Sequence, residues 1–363
     1  MHKKEISEIK KSICNVKNSS LVTISICLVG PEKEKLVIDT FRFLSLPEEE
    51  IFKYLDIFKK SLGGKVGKSL FNIGMQGEEK EREMANLSDN FELLCDKIIE
   101  KYEMPGHYLI VSGYGVYDYP AKHSDGTYDE EADYTYEYTL TSICPVELAA
   151  PALSYTNGSI KERMRDWVVG APKDAILYPS FNDRTPDVHE LLYFTKKSKE
   201  TQEELINELA GNSRPNSEDE EKEWFSKALE DENGQGCSFE VIKEFSESAY
   251  RKVEENAEDG QVNLSEYEIV RMLENAGLDE KRAEEFAKYH KENQGEKQEI
   301  NLNNLTNTSK SVISGYGFSL QVDADRLSDV QTKVIDGRIH LILPLASSEL
   351  MLNGITTQVK NSK

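Results

Sequence analysis

Apolar and polar positions follow two rhythms along this chain, and the rhythm changes near residue 200. Residues 21–29, Leu-Val-Thr-Ile-Ser-Ile-Cys-Leu-Val, form a β-branched run closed by Gly30-Pro31, which predicts a strand. A second run at 35–43 follows the charged turn, so the two together predict a hairpin. Residues 3–12 predict a short polar helix ahead of them. After Pro47, three glutamates and a stripe of Ile51, Tyr54, Leu55 and Phe58 predict a helix, with Ser45 as N-cap and Gly63-Gly64 as its stop. A helix near 90–102 leads to strands at 107–117, 134–144, 174–181 and 189–195, separated by Gly, Asp and Pro turns. Strands and helices do not alternate regularly here, which favours antiparallel pairing over a doubly wound parallel sheet.

Beyond residue 200 the pattern is helical. Thr201 with Glu204, and Ser265 with Glu268, have the spacing of capping boxes, and Gly211 and Gly277 stand where helices end. Phe239, Ile242, Phe245, Ala249 and Val253 make an interior helical stripe, and the polar stretch 212–223 reads as a connection. The last sixty residues return to strands. Asp336-Gly337 between apolar runs predicts a tight hairpin, and Asn353-Gly354 another. The expected fold class is therefore α+β. A mainly antiparallel sheet region with flanking helices covers 1–198, an acidic helical segment 199–300, and a small C-terminal β unit 301–363.

Charge sharpens this division. The 363 residues include 44 basic and 66 acidic side chains, a net −22, and residues 201–300 alone hold 12 basic against 28 acidic. Such a surface repels phosphate backbones and argues against direct nucleic-acid binding. It favours a basic protein or protein complex as partner. With 17 Tyr, 13 Phe and 2 Trp the chain has the material to fold. Its five cysteines, Cys14, Cys27, Cys95, Cys144 and Cys237, are scattered without a CxxC pair, so neither a disulfide framework nor a metal site is expected. No motif calls for a cofactor. The apolar run 20–30 is too short to span a bilayer and the first residues lack a signal-peptide core, so no membrane association and a cytoplasmic location are expected.

The densest group of reactive side chains is Asn182-Asp183-Arg184-Thr185-Pro186-Asp187-Val188-His189-Glu190. An extended backbone would put Asp187 and His189 on one face, able to move a proton. Asp183, Arg184, Asp187 and His189 are thus the catalytic candidates, with Asn182 as a binding candidate. The plainer reading is a turn in which Arg184 pairs with an acid. Tyr134, Tyr136 and Tyr138 share one strand face and are candidate binding residues that could stack on a ligand or pack a sheet. Cys144, flanked by Ile143 and Pro145, reads as inert core. Residues 63–69 end in Gly-Lys-Ser but follow a helix and lack the first glycine of a phosphate loop. Residues 255–266 echo a calcium loop, yet Ala257 stands at its third place and cannot ligate.

Several stretches resemble a bacterial family known as domain of unknown function 4317. They are Lys3-Lys4-Glu5-Ile6-Ser7-Glu8-Ile9, Leu46-Pro47-Glu48-Glu49-Glu50-Ile51-Phe52-Lys53-Tyr54 and Ser142-Ile143-Cys144-Pro145-Val146. Asn182-Asp183-Arg184 with Asp187, His189, Leu192 and Tyr193 belongs to the same pattern, as do Ile335-Asp336-Gly337-Arg338 and Asn353-Gly354. The resemblance runs the length of the chain. It implies a cytoplasmic protein of spore-forming, low-GC Gram-positive bacteria, and no catalytic residue comes with it. The function expected from the residues is a non-enzymatic interaction or regulatory protein that binds a macromolecular partner. The alternative is a hydrolase-type enzyme around Asp183, Arg184, Asp187 and His189.

Overall fold

Helix α1 (Lys3–Cys14) buries Ile6, Ile9 and Ile13 at three- and four-residue spacing, so one face is committed to a core. Strands β1 (Leu21–Val29) and β2 (Lys35–Arg42) then pair antiparallel, as the hairpin pattern predicts. The computed structural model describes residues 1–359 except 17, 121–133, 157, 232, 257–261, 294–298, 308–309, 316 and 346. Residues 257–261 of the calcium-loop echo and the connecting loop after Pro120 therefore lie outside the described residues.

Helix α2 (Glu48–Ser61) begins two residues later than expected. Its N-cap is Pro47, while Ser45 sits in a 3-10 turn and donates to the Arg42 carbonyl at 2.7 Å. Proline suits a helix start, because its missing N–H would be unpaired there anyway. Strand β3 (Leu70–Gly74) and helices α3 (Gly77–Asp89) and α4 (Phe91–Lys101) follow, then the long strands β4 (His107–Tyr119) and β5 (Tyr134–Leu148). A run of short strands comes next: β6 (Leu153–Thr156), β7 (Ser159–Glu162), β8 (Trp167–Val169), β9 (Asp174–Tyr178), β10 (Ser180–Asn182), β11 (Thr185–Asp187) and β12 (Glu190–Thr195). Helix α5 (Glu203–Ala210) ends at Gly211 in the left-handed region, but its N-cap is Gln202. The capping box expected of Thr201 and Glu204 does not form, and Thr201 Oγ1 donates instead to Glu203 Oε1 at 2.9 Å.

Among the described residues an eight-stranded sheet runs β2-β1-β4-β5-β9-β12-β3, with β8 beside β5. Its neighbouring pairs are antiparallel. Helices cover both faces. Ile9, Ile24, Phe58, Val111, Tyr138 and Leu140 fill one core, and Cys95, Ile98, Ile110, Ile143, Ile176 and Leu205 the other. The middle strands are apolar on both sides for that reason. Gly115 on β4 is a packing requirement, since a Cβ there would run into the Tyr138 ring.

The chain divides into two compact units, Met1–Ser217 and Glu218–Lys363. Helix α5 lies in the first, because Leu205, Ile206, Leu209 and Ala210 are buried in its second core. The second unit opens with α6 (Glu218–Ala228), half of which falls in the stretch expected to be a connection. It continues with α7 (Phe239–Glu255), β13 (Asn263–Leu264), α8 (Glu266–Asn275), α9 (Glu280–Asn293), β14 (Ile300–Asn301) and α10 (Leu302–Leu305). Phe245, Ala249, Ile269, Leu273, Phe286 and Leu302 form its core. The Ser265–Glu268 capping box opens α8 as predicted. Hairpins close the unit: β15 (Lys310–Gly315) with β16 (Phe318–Asp323), β17 (Gln331–Ile335) with β18 (Arg338–Ile342), and β19 (Glu349–Leu352) with β20 (Ile355–Gln358). The predicted turns hold the required positive φ angles, 48° and 74° at Asp336-Gly337 and 53° and 79° at Asn353-Gly354. The chain is thus α+β, and among its described residues no helix is long and apolar enough to cross a membrane.

Candidate functional site

The 182–190 cluster folds as a hairpin, with β10 and β11 paired and Asp183-Arg184 forming the turn. Both turn residues have positive φ, 47° and 57°, a conformation that aspartate tolerates and arginine rarely adopts. The turn throws the Arg184 side chain inward. Its Nη2 lies 3.2 Å from Glu8 Oε1 of α1 and donates to the Pro120 carbonyl at 3.2 Å, and its guanidinium stands 5.6 Å from the centre of the Tyr119 ring. Arg184 therefore pairs with an acid, as the turn reading expects, and in doing so ties α1 to the end of β4.

The other members of the cluster are held apart from it. Asn182 Nδ2 donates to Asp187 Oδ2 at 2.7 Å and to Glu190 Oε1 at 2.9 Å. Asp187 Oδ1 accepts from the His189 backbone N–H at 3.0 Å, so the two share a bond through the main chain and not through the imidazole. The His189 ring faces away, with Nδ1 2.7 Å from Glu81 Oε1 and its side chain 74% exposed. The Glu81 carboxylate beside it raises the imidazole pKa above its ordinary value. Cys144 is fully buried and its thiol is pushed up to about 12 by burial, which leaves it no thiolate for attack near neutral pH.

Of the two readings open to the tyrosine row, ligand face or sheet packing, Tyr136 and Tyr138 follow the second. Tyr136 and Tyr138 are buried under α1 and α2, stacked 5.2 Å apart, and Tyr136 also packs 4.6 Å from Phe181. Their hydroxyls are used internally: Tyr136 donates to the Pro179 carbonyl at 2.5 Å and Tyr138 shares a 2.6 Å bond with Ser20 Oγ. Only Tyr134 of the three reaches solvent, stacked on Tyr119 at 5.7 Å. Two helices laid over that face made the difference, and their apolar stripes needed the aromatic surface.

An open groove of about 810 Å³ runs beside α1. Lys4, Ser7, Glu8, Lys11 and Asn15 line one wall from the polar side of the helix, and Tyr117, Asp118 and Arg184 contribute from the sheet end. Tyr117 Oη donates to Glu8 Oε1 at 2.9 Å, so Glu8 is clasped by both Tyr117 and Arg184. Of the four catalytic candidates, Arg184 alone lines this groove. The wall residues Lys4, Glu8, Lys11 and Asn15 recur at helical spacing in the sequence, a signal that marks them as one face but not as a cavity wall. The described lining offers hydroxyl, carboxamide, ammonium, guanidinium and carboxylate groups, which can hydrogen-bond a polar ligand.

In the second unit, β13 and β14 pair through Leu264 and Ile300, joining α7–α8 to α9–α10. Paired helix–loop–helix calcium motifs have this connectivity. Glu266, the twelfth residue of the 255–266 stretch, stands in the first turn of α8 directly after its Ser265 N-cap. Among the described residues no three His, Cys, Asp or Glu side chains gather as a metal site.

A family model described as domain of unknown function (DUF4317) matches residues 1–355. The chain belongs to this family. The match takes in both units, including the hairpins through Ile355, so the architecture described above is that of a DUF4317 protein. A comparison with curated proteins gives no match.

Proposed function

We propose that this DUF4317 protein is a non-enzymatic, cytoplasmic interaction or regulatory protein of a bacterium, and that its acidic helices bind a basic macromolecular partner. One observation carries the reading. The side chains with the most chemical capacity have separate internal partners, Arg184 with Glu8, Asp187 with Asn182 and His189 with Glu81. A hydrolase would need them around one substrate. Residues 218–300 meanwhile hold 25 acidic against 11 basic side chains. Such a surface raises the encounter rate with a basic partner and makes the complex sensitive to salt, since charges beyond ~10 Å are screened at 0.1 M.

The test is capture of partners by the tagged full-length protein at low and at high ionic strength. A basic protein recovered at low salt and released at high salt is the expected result. Recovery of nothing salt-sensitive would remove the basis of the proposal.

A further inference from the structure

Residues 339–359 contain a single charged side chain, Glu349, in a chain that is 30% charged. They form most of β18, β19 and β20, and they are not packed away. In the β17–β18 hairpin Thr332, Val334, Ile339 and Leu341 share one face by register. Its base is fastened: Lys243 donates to the Val330 carbonyl at 3.1 Å, Thr332 is hydrogen-bonded to Glu240, and Leu341 packs beside Val322, Leu327 and Val330. The apolar face then runs on past the core. Val334 and Ile339, a cross-strand pair, are 67% and 82% exposed. In β19–β20 the pair Leu352 and Ile355 is exposed on the same terms. An isolated two-stranded hairpin is marginal in water, and an apolar face of this kind marks an interaction surface.

We infer that the β17–β20 hairpins are the contact surface between two copies of this chain, joined about a two-fold axis. Charge selects the occupant. Residues 331–359 balance Lys333 and Arg338 against Asp336 and Glu349, so two copies meet there without repulsion, whereas the acidic helices of each would push the other away. Neutrality gives a basic partner nothing to grip, and a net −22 chain whose residues 331–359 hold only two basic side chains, both on the opposite face of the β17–β18 hairpin by register or at its turn, is repelled by an anionic bilayer. A two-fold contact is self-complementary, and apolar cross-strand pairs meeting their own copies satisfy that condition.

The exposed hairpin β6–β7 provides the control. Tyr155 and Ile160 are as open to solvent, but Lys161, Glu162, Arg163, Arg165 and Asp166 follow immediately, the pattern of a solvated hairpin. Sedimentation velocity on the full-length chain over a range of concentrations should give a mass twice that of the chain, with dimer favoured at higher salt because screening weakens the repulsion between acidic helices. The double substitution Ile339→Lys and Leu352→Lys, at positions the monomer does not bury, should weaken the dimer roughly 100-fold or more while leaving the circular dichroism spectrum and melting temperature of the monomer unchanged. Tyr155→Lys should leave the dimer intact. Hydrogen exchange at amides 331–359 should slow as concentration rises. A wild-type chain that stays monomeric at high concentration and high salt, a double variant that dimerises like wild type, or a chain whose hairpins are protected only by anionic vesicles would each overturn the inference.

Discussion

His189 Nδ1 lies 2.7 Å from Glu81 Oε1, binding the end of the β11–β12 connection to helix α3. The carboxylate holds the imidazole pKa above its unfolded value, so the pair is complete below that value and is lost as pH rises through the raised one. Proton NMR should place the His189 titration above the usual histidine value of about 6.5, and Glu81→Gln should return it there. A wild-type histidine titrating at or below that value would contradict the pairing.

Glu221 on α6 is raised as well, but by burial and not by an opposite charge. Burial pushes its carboxyl up to about 7, while Asn304 and the Asn301 backbone hydrogen-bond to it and pull the other way. The folded state therefore holds a proton that the unfolded state has released. Stability of the second unit should fall as pH rises from about 4.5 to about 7, by up to ~3 kcal/mol. Urea melts at stepped pH test this, and Glu221→Gln should flatten the dependence over that interval.

The buried aromatic row gives a paired test. Tyr136→Ala removes a ring packed against Tyr138 and Phe181 and should cost ~3–5 kcal/mol. Tyr134→Ala, at a half-exposed position, should stay within about 1 kcal/mol. Equal losses in thermal melts would mean that α1 and α2 do not cover Tyr136.

Asp174 accepts from Tyr102 at 2.6 Å and Tyr193 at 2.5 Å in the second core of the first unit. Tyr102→Phe or Tyr193→Phe leaves a buried carboxylate oxygen short of a donor and should each cost ~1–3 kcal/mol. Because both hydroxyls serve one carboxylate, the double variant should depart from the sum of the singles. Strict additivity in chemical denaturation would argue against the shared network.

Gly115→Ala should destabilise the first unit by ~1–3 kcal/mol, since the added methyl meets the Tyr138 ring. A second substitution, Tyr138→Phe, removes the hydroxyl that shares a bond with Ser20 and lies nearest the clash, and should recover part of the loss. Calorimetry of the two variants checks both.

Where an element's signal is carried by its own residues, the sequence sufficed. Asp336-Gly337 and Asn353-Gly354 tolerate positive φ wherever they occur, Ser265 and Glu268 cap a helix across one turn, and Leu21–Val29 with Lys35–Arg42 are close enough to pair locally. The α+β class and family membership followed from such signals. Tertiary structure decided the rest, because burial depends on what arrives to cover a face. Tyr136 and Tyr138 became core only when α1 and α2 were laid over them, and β3 became a strand by pairing with a partner more than a hundred positions away. Helix α5, acidic in composition, joined the first unit through its four apolar side chains, and Arg184 found Glu8 only because a strained turn aimed it at α1. Local chemistry fixes a turn or a cap; contact across the fold fixes which reactive side chains meet, and here it kept the candidates apart.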